Sequence, residues 1–304
     1  VVLAGAEAEL GRLPEQLAIP VATTISGKGS ISEDHPLAVG VVGSNGGVME
    51  TRRFMEAADL LLLIGCRAGS VTTERWRFPA PGACQVAHID SDPGVIGANY
   101  PTEAAMVGDA RLALAALNAE IGSPTAPTRD LNADAVAEAK AAKFAAFQEL
   151  ASSDERPIRP ERLVASLSEL LDDDAVLIAD PGTPCPYLSA YYPVNRTGRQ
   201  FFSNRAHGAL GYSLPAAIGA YYGRPGAKVV AVMGDGSFGF NGGEMETVAR
   251  LGLPITFVVV SNGVFGWIKA GQKTGFDGRY FSVDFSTTDH AKVAEAYGLP
   301  SWRG

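Results

Sequence analysis

Two hydrophobic runs in the C-terminal half each end on small oxygen-bearing side chains. "VVAVMGDG" closes on Gly234, Asp235 and Gly236, and "PITFVVVSN" closes on Ser261 and Asn262. Between them, "SFGFNGGEMETVARLGL" reads as a glycine-rich turn and then a helix, so the unit is strand, turn, helix, strand. In an open parallel sheet the two strands are close neighbours, and ligands bind at their carboxyl ends. Asp235 and Asn262 then share a binding edge. One carboxylate and one amide oxygen are hard ligands suited to Mg2+ or Ca2+, with phosphate oxygens completing the shell. Gly234, Gly236, Gly239, Gly242 and Gly243 keep the turn open and leave backbone amides for phosphate. A diphosphate held through a divalent cation is the direct reading. "GDGSFG" also satisfies G-x-G-x-x-G, a nucleotide-binding pattern that is weak alone. Its internal acid would repel a bare pyrophosphate, and the next strand ends in Asn262 rather than in an acid that could hold a ribose. The plain structural alternative is that the glycines serve only tight strand-to-helix packing.

The elements that position these residues read as α/β throughout. Residues 1–122 form a first unit. "VVLAG" is a short buried strand, "AEAELGRLPEQLA" a helix interrupted by Gly11 and Pro14, "IPVATT" a strand and "GGVMETRRFMEAA" a helix. "DLLLLIG" and "CQVAHID" are strands, and "DARLALAALNAEI" is the closing helix. Residues 123–160 are a linker with a helix: "SPTAPTRD", then an Ala- and charge-rich stretch, then the polar break "SSDERPIRP". Residues 161–304 form a second unit, whose strand "AVLIADPG" ends at Asp180. Continuous apolar strands alternating with helices predict two tandem Rossmann-like parallel sheets, each covered by helices on both faces. Thr288 or Asp289 is the expected cap of the last helix.

Composition narrows the function. The 304 residues are 46% hydrophobic, enough for a sizeable core, and the 35 glycines follow no short period. The formal charge of −8, with no basic tract, argues against a nucleic-acid partner. Cys66, Cys84 and Cys185 are odd in number and far apart, so neither a disulfide framework nor a zinc site follows. The apolar runs are strand-length, and no membrane span or signal peptide is expected. The localisation expected is cytoplasmic.

The segment "GDGSFGFNGGEMETVARLGLPITFVVVSNGVFGWI" resembles the thiamine-diphosphate signature, which opens on Gly-Asp-Gly and closes on paired asparagines. Here Asp235 and Asn262 are 27 residues apart. "SNRAHGALGYSLPAAIGA" resembles the segment preceding that signature in the acetolactate synthase-like group. "GAEAELGRLPEQLAIPVATTISGKGSISEDHPLAVGVVG" and "ADLLLLIGCRAGS" resemble the group's central domain. The resemblance implies that Asp235, the Asn262 side chain and the Val264 carbonyl bind Mg2+. It implies that Gly234 opens the signature turn and that the Gly236 and Ser237 amides hold the diphosphate of thiamine diphosphate, with Gly182 and Thr183 adding contacts. Leu210 stands under the bent cofactor, where Met is common in the family. His207, three residues earlier, is a candidate to face the reacting centre, beside a structural role in a polar loop. The implied activity is that of a lyase or carboligating transferase. A 2-oxo acid is decarboxylated, and the product is protonated or joined to an aldehyde or ketone.

Family members begin with a pyrimidine-binding domain that carries an activating glutamate, and nothing before Val1 serves here. The resemblance therefore implies a separate domain or subunit, in a homo- or hetero-oligomer. Ser261 replaces the first asparagine of the pair. Two other classes stay open: a catalytically inactive cofactor-binding or scaffold subunit, and a dinucleotide-linked oxidoreductase. Cys185, between two prolines beside the diphosphate loop, reads as packing. "VFGWIKAGQKTGFDGRYFSVDF" reads as an irregular loop whose Lys269, Gln272, Arg279 and Tyr280 could cover a substrate or an interface.

Overall fold

A computed structural model describes residues 1–122, 129–205 and 207–304. Of the linker reading, 123–128 lie outside the described residues; the two residues that follow open a helix. The chain divides into two compact units. One comprises Val1–Leu170 with Ser189–Arg199, and the other Leu171–Leu188 with Gln200–Gly304.

In the first unit the order is α1 (Glu7–Leu17), β1 (Val21–Thr23), β2 (Ala38–Val41), α2 (Met49–Glu56), β3 (Leu60–Ile64), β4 (Gln85–Asp90), β5 (Ala104–Val107), α3 (Ala110–Ile121), α4 (Arg129–Ala151) and α5 (Pro160–Leu170). All strand pairs are parallel, but they form two sheets, β1-β2 and β3-β4-β5. Leu10 and Leu13 of α1 pack with Ala38, Ile89 and Leu114. The two helices are also stitched by side chains: the Asn118 amide donates to the Glu9 carbonyl at 2.8 Å, and Gln16 donates to the Gly122 carbonyl at 2.9 Å. Asp109 caps α3 by accepting from the Arg111 and Leu112 amides. The long helix α4 is fastened to this unit, with Asn132 donating to the Ala18 carbonyl and Lys140 to the Glu33 carbonyl.

The second unit carries β6 (Val176–Ala179), β7 (Phe201–Phe202), α7 (Ser213–Gly223), β8 (Val229–Gly234), α8 (Asp235–Asn241), α9 (Met245–Leu251), β9 (Ile255–Val260), α10 (Gly266–Gly275) and α11 (His290–Ala296); α6 (Pro184–Tyr191) follows β6 in the chain. Its sheet is parallel in the order β7-β6-β8-β9. The register pairs Ala179 with Val232 and Gly234 with Val260, so three neighbouring strands end close together. Every residue of β6 and Val229–Met233 of β8 are buried, which their continuous apolar sequence demands. Each Val, Leu, Ile or Met side chain among them removed from water contributes about 1.5–3 kcal/mol at most. The strand tips are therefore a fixed platform.

Several expectations are corrected. "VVLAG" is not a strand: Val2–Ala4 is one 3-10 turn, because Ala4 and Gly5 donate back to Val1 and Val2 and Gly5 turns the chain at φ 59°. Helix α1 runs through Gly11 and Pro14 without a break, since Leu10, Leu13 and Pro14 are buried together on one face. The strands β2, β5 and β7 are additions to the expected elements. The glycine-rich turn after Asp235 is helical (α8), with Phe238 anchored in the core. Cys185 lies in helix α6, because Pro184 and Pro186 occupy a first turn where the missing N–H is no loss. The stretch read as an irregular aromatic loop contains the ten-residue helix α10, whose three glycines hid its pattern. Asp289, not Thr288, caps α11 by accepting from the Lys292 amide at 3.2 Å.

Candidate functional site

The carboxyl ends of β6, β8 and β9 bring Asp180, Asp235 and the pair Ser261–Asn262 to one edge of the sheet. Asp235 is buried. Its Oδ2 accepts from the Ser261 hydroxyl at 3.1 Å and from the Asn262 and Gly263 amides at 2.8 and 2.7 Å. Its Oδ1 accepts from the Gly236 amide at 2.8 Å. The carboxylate thus clasps the end of the neighbouring strand, and Ser261, which departs from the family's asparagine, contributes to that clasp through its hydroxyl. Oδ2 is saturated, whereas Oδ1 has spent one of its acceptor positions.

Asn262 is exposed, and its Oδ1 accepts from the Val264 amide at 3.2 Å. Val264 forms a bridge to Asp284 whose hydrogen bonds come from its neighbours: Phe265 donates to the Val283 carbonyl and Phe285 to that of Gly263. The Val264 carbonyl takes no part in that bridge. One carboxylate oxygen, one amide oxygen and one backbone carbonyl beside a strand tip are oxygen donors of the type a hard divalent cation takes. Among the described residues, no three His, Cys, Asp or Glu side chains form a metal-binding group by themselves.

The other expected residues gather around this edge. A Cβ on Gly182 would lie 3.4 Å from Leu210 Cδ2 and 3.7 Å from Ser237 Oγ, so three separate segments meet at that glycine. A Cβ on Gly266 would lie 3.0 Å from Thr183 Oγ1 and 3.8 Å from Asn262 Nδ2. Gly234 ends β8, opposite Val260. Gly236 is required by the Phe265 ring, which a Cβ there would meet at 2.4 Å. Gly211 must be glycine twice over: its φ is +85°, and a Cβ would lie 2.7 Å from that of Phe240. A cavity of about 500 Å3 opens beside Asp235 and Gly236, walled by Phe238, Phe240, Phe265 and His290. His207 is exposed.

Asp180, expected only to close a strand, is wholly buried and accepts three hydrogen bonds from Ser213 and Ser237. The signal available in the sequence was an acid closing an otherwise apolar strand, the feature that singled out Asp235. Cys185 is buried and accepts from the Ser203 hydroxyl at 3.3 Å, which fits a packing role. The thiols of Cys66 and Cys84 are pushed above the ordinary cysteine range by burial, the reverse of an activated nucleophile.

A parallel α/β unit with hard oxygen donors and glycine-supported amides at its strand tips defines a binding edge for an anionic cofactor. The chain belongs to the thiamine pyrophosphate enzyme family. Residues 1–117 match its central domain, and residues 180–303 match its C-terminal TPP binding domain. The chain is similar to the probable acetolactate synthase large subunit of Methanococcus aeolicus, 32% identical over all of this chain and 52% of that protein. It is equally similar to the corresponding protein of Methanocaldococcus jannaschii, 32% identical over all of this chain and 51% of the relative. Acetolactate synthase isozyme 3 large subunit of Escherichia coli is 30% identical over 98% of this chain and 51% of its own length. The chain spans about half the length of these relatives. No helix among the described residues is long and apolar enough to cross a membrane.

Proposed function

We propose that this chain works in a thiamine-diphosphate- and Mg2+-dependent enzyme that decarboxylates a 2-oxo acid, joins two carbonyl compounds, or both. The observation that carries the reading is the Asp235 carboxylate clasping residues 261–263 at the tips of β8 and β9. Asp235, the Asn262 side chain and the Val264 carbonyl would hold Mg2+. The Ser237 amide, and the Gly236 amide once it turns from Asp235 Oδ1, would donate to the diphosphate, with Gly182 and Thr183 adding contacts. Leu210 presents an apolar surface to the ring end of the cofactor. His207, on the exposed segment, approaches a substrate carboxylate. When bound, thiamine diphosphate supplies the nucleophilic carbon and the electron sink; the protein's work is to hold it, orient it and keep water away.

In this reading a pyrimidine-binding domain, in the same chain or in another, brings the activating glutamate. Residues 1–122 act as the central domain, 123–160 as a linker with a helix and 161–304 as the diphosphate-binding domain. The test is equilibrium binding of thiamine diphosphate with Mg2+ or with chelator, followed by assay of 2-oxo acid consumption in the assembled enzyme. Mg2+-dependent binding and turnover are expected. Failure of any assembled form to bind the cofactor would sink the proposal, and binding without turnover would assign the chain to a scaffold role.

A further inference from the structure

The acid at the end of β6 has no part in the ligand set above, yet it bonds to two of the segments that build the site and leads into a third. Asp180 is 0% exposed. Its Oδ2 accepts from the Ser213 amide at 3.1 Å and from the Ser213 hydroxyl at 3.0 Å. Its Oδ1 accepts from the Ser237 hydroxyl at 2.7 Å. Ser213 and Ser237 are themselves buried. A carboxylate in such a place is tolerated only when its lone pairs are met, and these three donors are neutral. Ser213 opens α7 just after Leu210 and Gly211, and Ser237 lies in the first turn of α8, two residues after Asp235. Asp180 itself leads directly into Pro181, Gly182 and Thr183. One buried side chain thus ties the Gly182 loop, the Leu210 segment and the Gly236–Ser237 amides to the tip of a single strand.

The bond to Ser237 has a second consequence. With its hydroxyl proton given to Asp180, Ser237 can donate to an outside anion through its backbone amide alone. A carboxylate offers two acceptor oxygens, so it can fix Ser213 and Ser237 as donors together. An asparagine has one oxygen and could satisfy one arm, forcing the other serine hydroxyl to reverse and accept.

We infer that Asp180 is a positioning residue: it sets the geometry of the diphosphate-binding segments and commits Ser237 to bind the diphosphate by its amide. The inference deepens the cofactor reading and rests on it. The probes are thiamine diphosphate and inorganic pyrophosphate, each with Mg2+, on wild type, Asp180→Asn, Ser237→Ala and the double variant in the assembled enzyme. Asp180→Asn is expected to weaken both ligands about tenfold or more, in parallel, because the defect lies at the phosphate end. The KM for the 2-oxo acid at saturating cofactor should stay within about twofold. Ser237→Ala should add little once Asp180→Asn is present, since both break the same tie. A folded Asp180→Asn protein that binds both ligands as wild type does, or that loses 2-oxo acid affinity instead, overturns the inference.

Hydrogen exchange keeps the question separate from the cofactor reading. In the ligand-free protein, Asp180→Asn should speed exchange at the amides of Gly182, Ser213 and Ser237 relative to the β6 and β8 core. Unchanged exchange there refutes the tethering role even if wild type binds no thiamine diphosphate. Faster exchange with a non-binding wild type would refute the cofactor reading alone.

Discussion

At the residue scale, Asp235 and Lys143 show opposite uses of burial. Asp235 is satisfied by four donors and keeps one acceptor position on Oδ1 for an incoming cation. Asp235→Asn swaps one carboxylate oxygen for an NH2 group that cannot accept from the Ser261–Gly263 tip. Mg2+-dependent binding of thiamine diphosphate should fall at least about tenfold, which isothermal calorimetry would read; retained affinity would remove Asp235 from the metal site. Lys143 is the reverse case. Its ammonium is buried, with the Phe144 and Tyr191 rings 5.0 and 5.5 Å away. Burial first, then the Lys28 cation, lowers its pKa from 10.5 to about 8, against the pull of Glu33 and Glu50. Between pH 8 and 10.5 the unfolded chain carries this proton and the folded chain does not, so stability rises with pH across that window and is flat below it. The full shift is worth roughly 3 kcal/mol of lost stability at neutral pH. Lys143→Met should therefore stabilise the protein at pH 7 by about 1–3 kcal/mol and flatten the rise above pH 8. Urea unfolding at pH 7, 9 and 10.5 checks both; an unaltered pH slope would count against the assignment.

At the element scale, the contacts that matter lie where helices start. Helix α8 begins with Asp235 and passes under the Phe265 ring at Gly236, with Phe265 immediately preceding α10. Gly236→Ala puts a methyl 2.4 Å from a ring carbon, so the ring or the start of α10 must shift. Overpacking of this kind costs about 1–3 kcal/mol. Cofactor affinity should fall along with stability, because the same amide is a proposed diphosphate donor. Adding Phe265→Leu should restore part of the stability, measured by the denaturation midpoint; no recovery would mean that the ring is not the obstacle. In the first unit, Asp109→Ala removes the cap of α3 and should lose about 1 kcal/mol. It should leave cofactor binding unchanged, which makes it a control for general loosening.

At the scale of the whole molecule, two units of parallel α/β structure carry different loads. The oxygen donors and glycine contacts described above all lie in the second unit, Leu171–Leu188 with Gln200–Gly304. A ligand that binds only the folded state stabilises it by about 2.7 kcal/mol when present at 100 times its dissociation constant. Thiamine diphosphate with Mg2+ should therefore slow hydrogen exchange first at residues 180–183, 210–213, 234–237 and 261–264. Protection confined to residues 1–122 would point to a different ligand site.

The sequence alone determined the alternation of strands and helices, the parallel class of the sheets and the adjacency of Asp235 and Asn262. These follow from local periodicity and from the rule that a strand-helix-strand unit returns beside its own start. Only the tertiary structure decided which oxygen of Asp235 is spent on the neighbouring strand, why Gly236 and Gly211 must be bare, and that Asp180 joins three distant segments. Those facts depend on residues 26 to 57 positions apart meeting at hydrogen-bond distance, or on one side chain's approach to another's backbone. A pattern of residue types along the chain carries no record of such meetings. The helices α6, α8 and α10 were hidden for a related reason: their prolines and glycines speak against helix locally, while the packing of Cys185, Phe238 and Phe265 favours it.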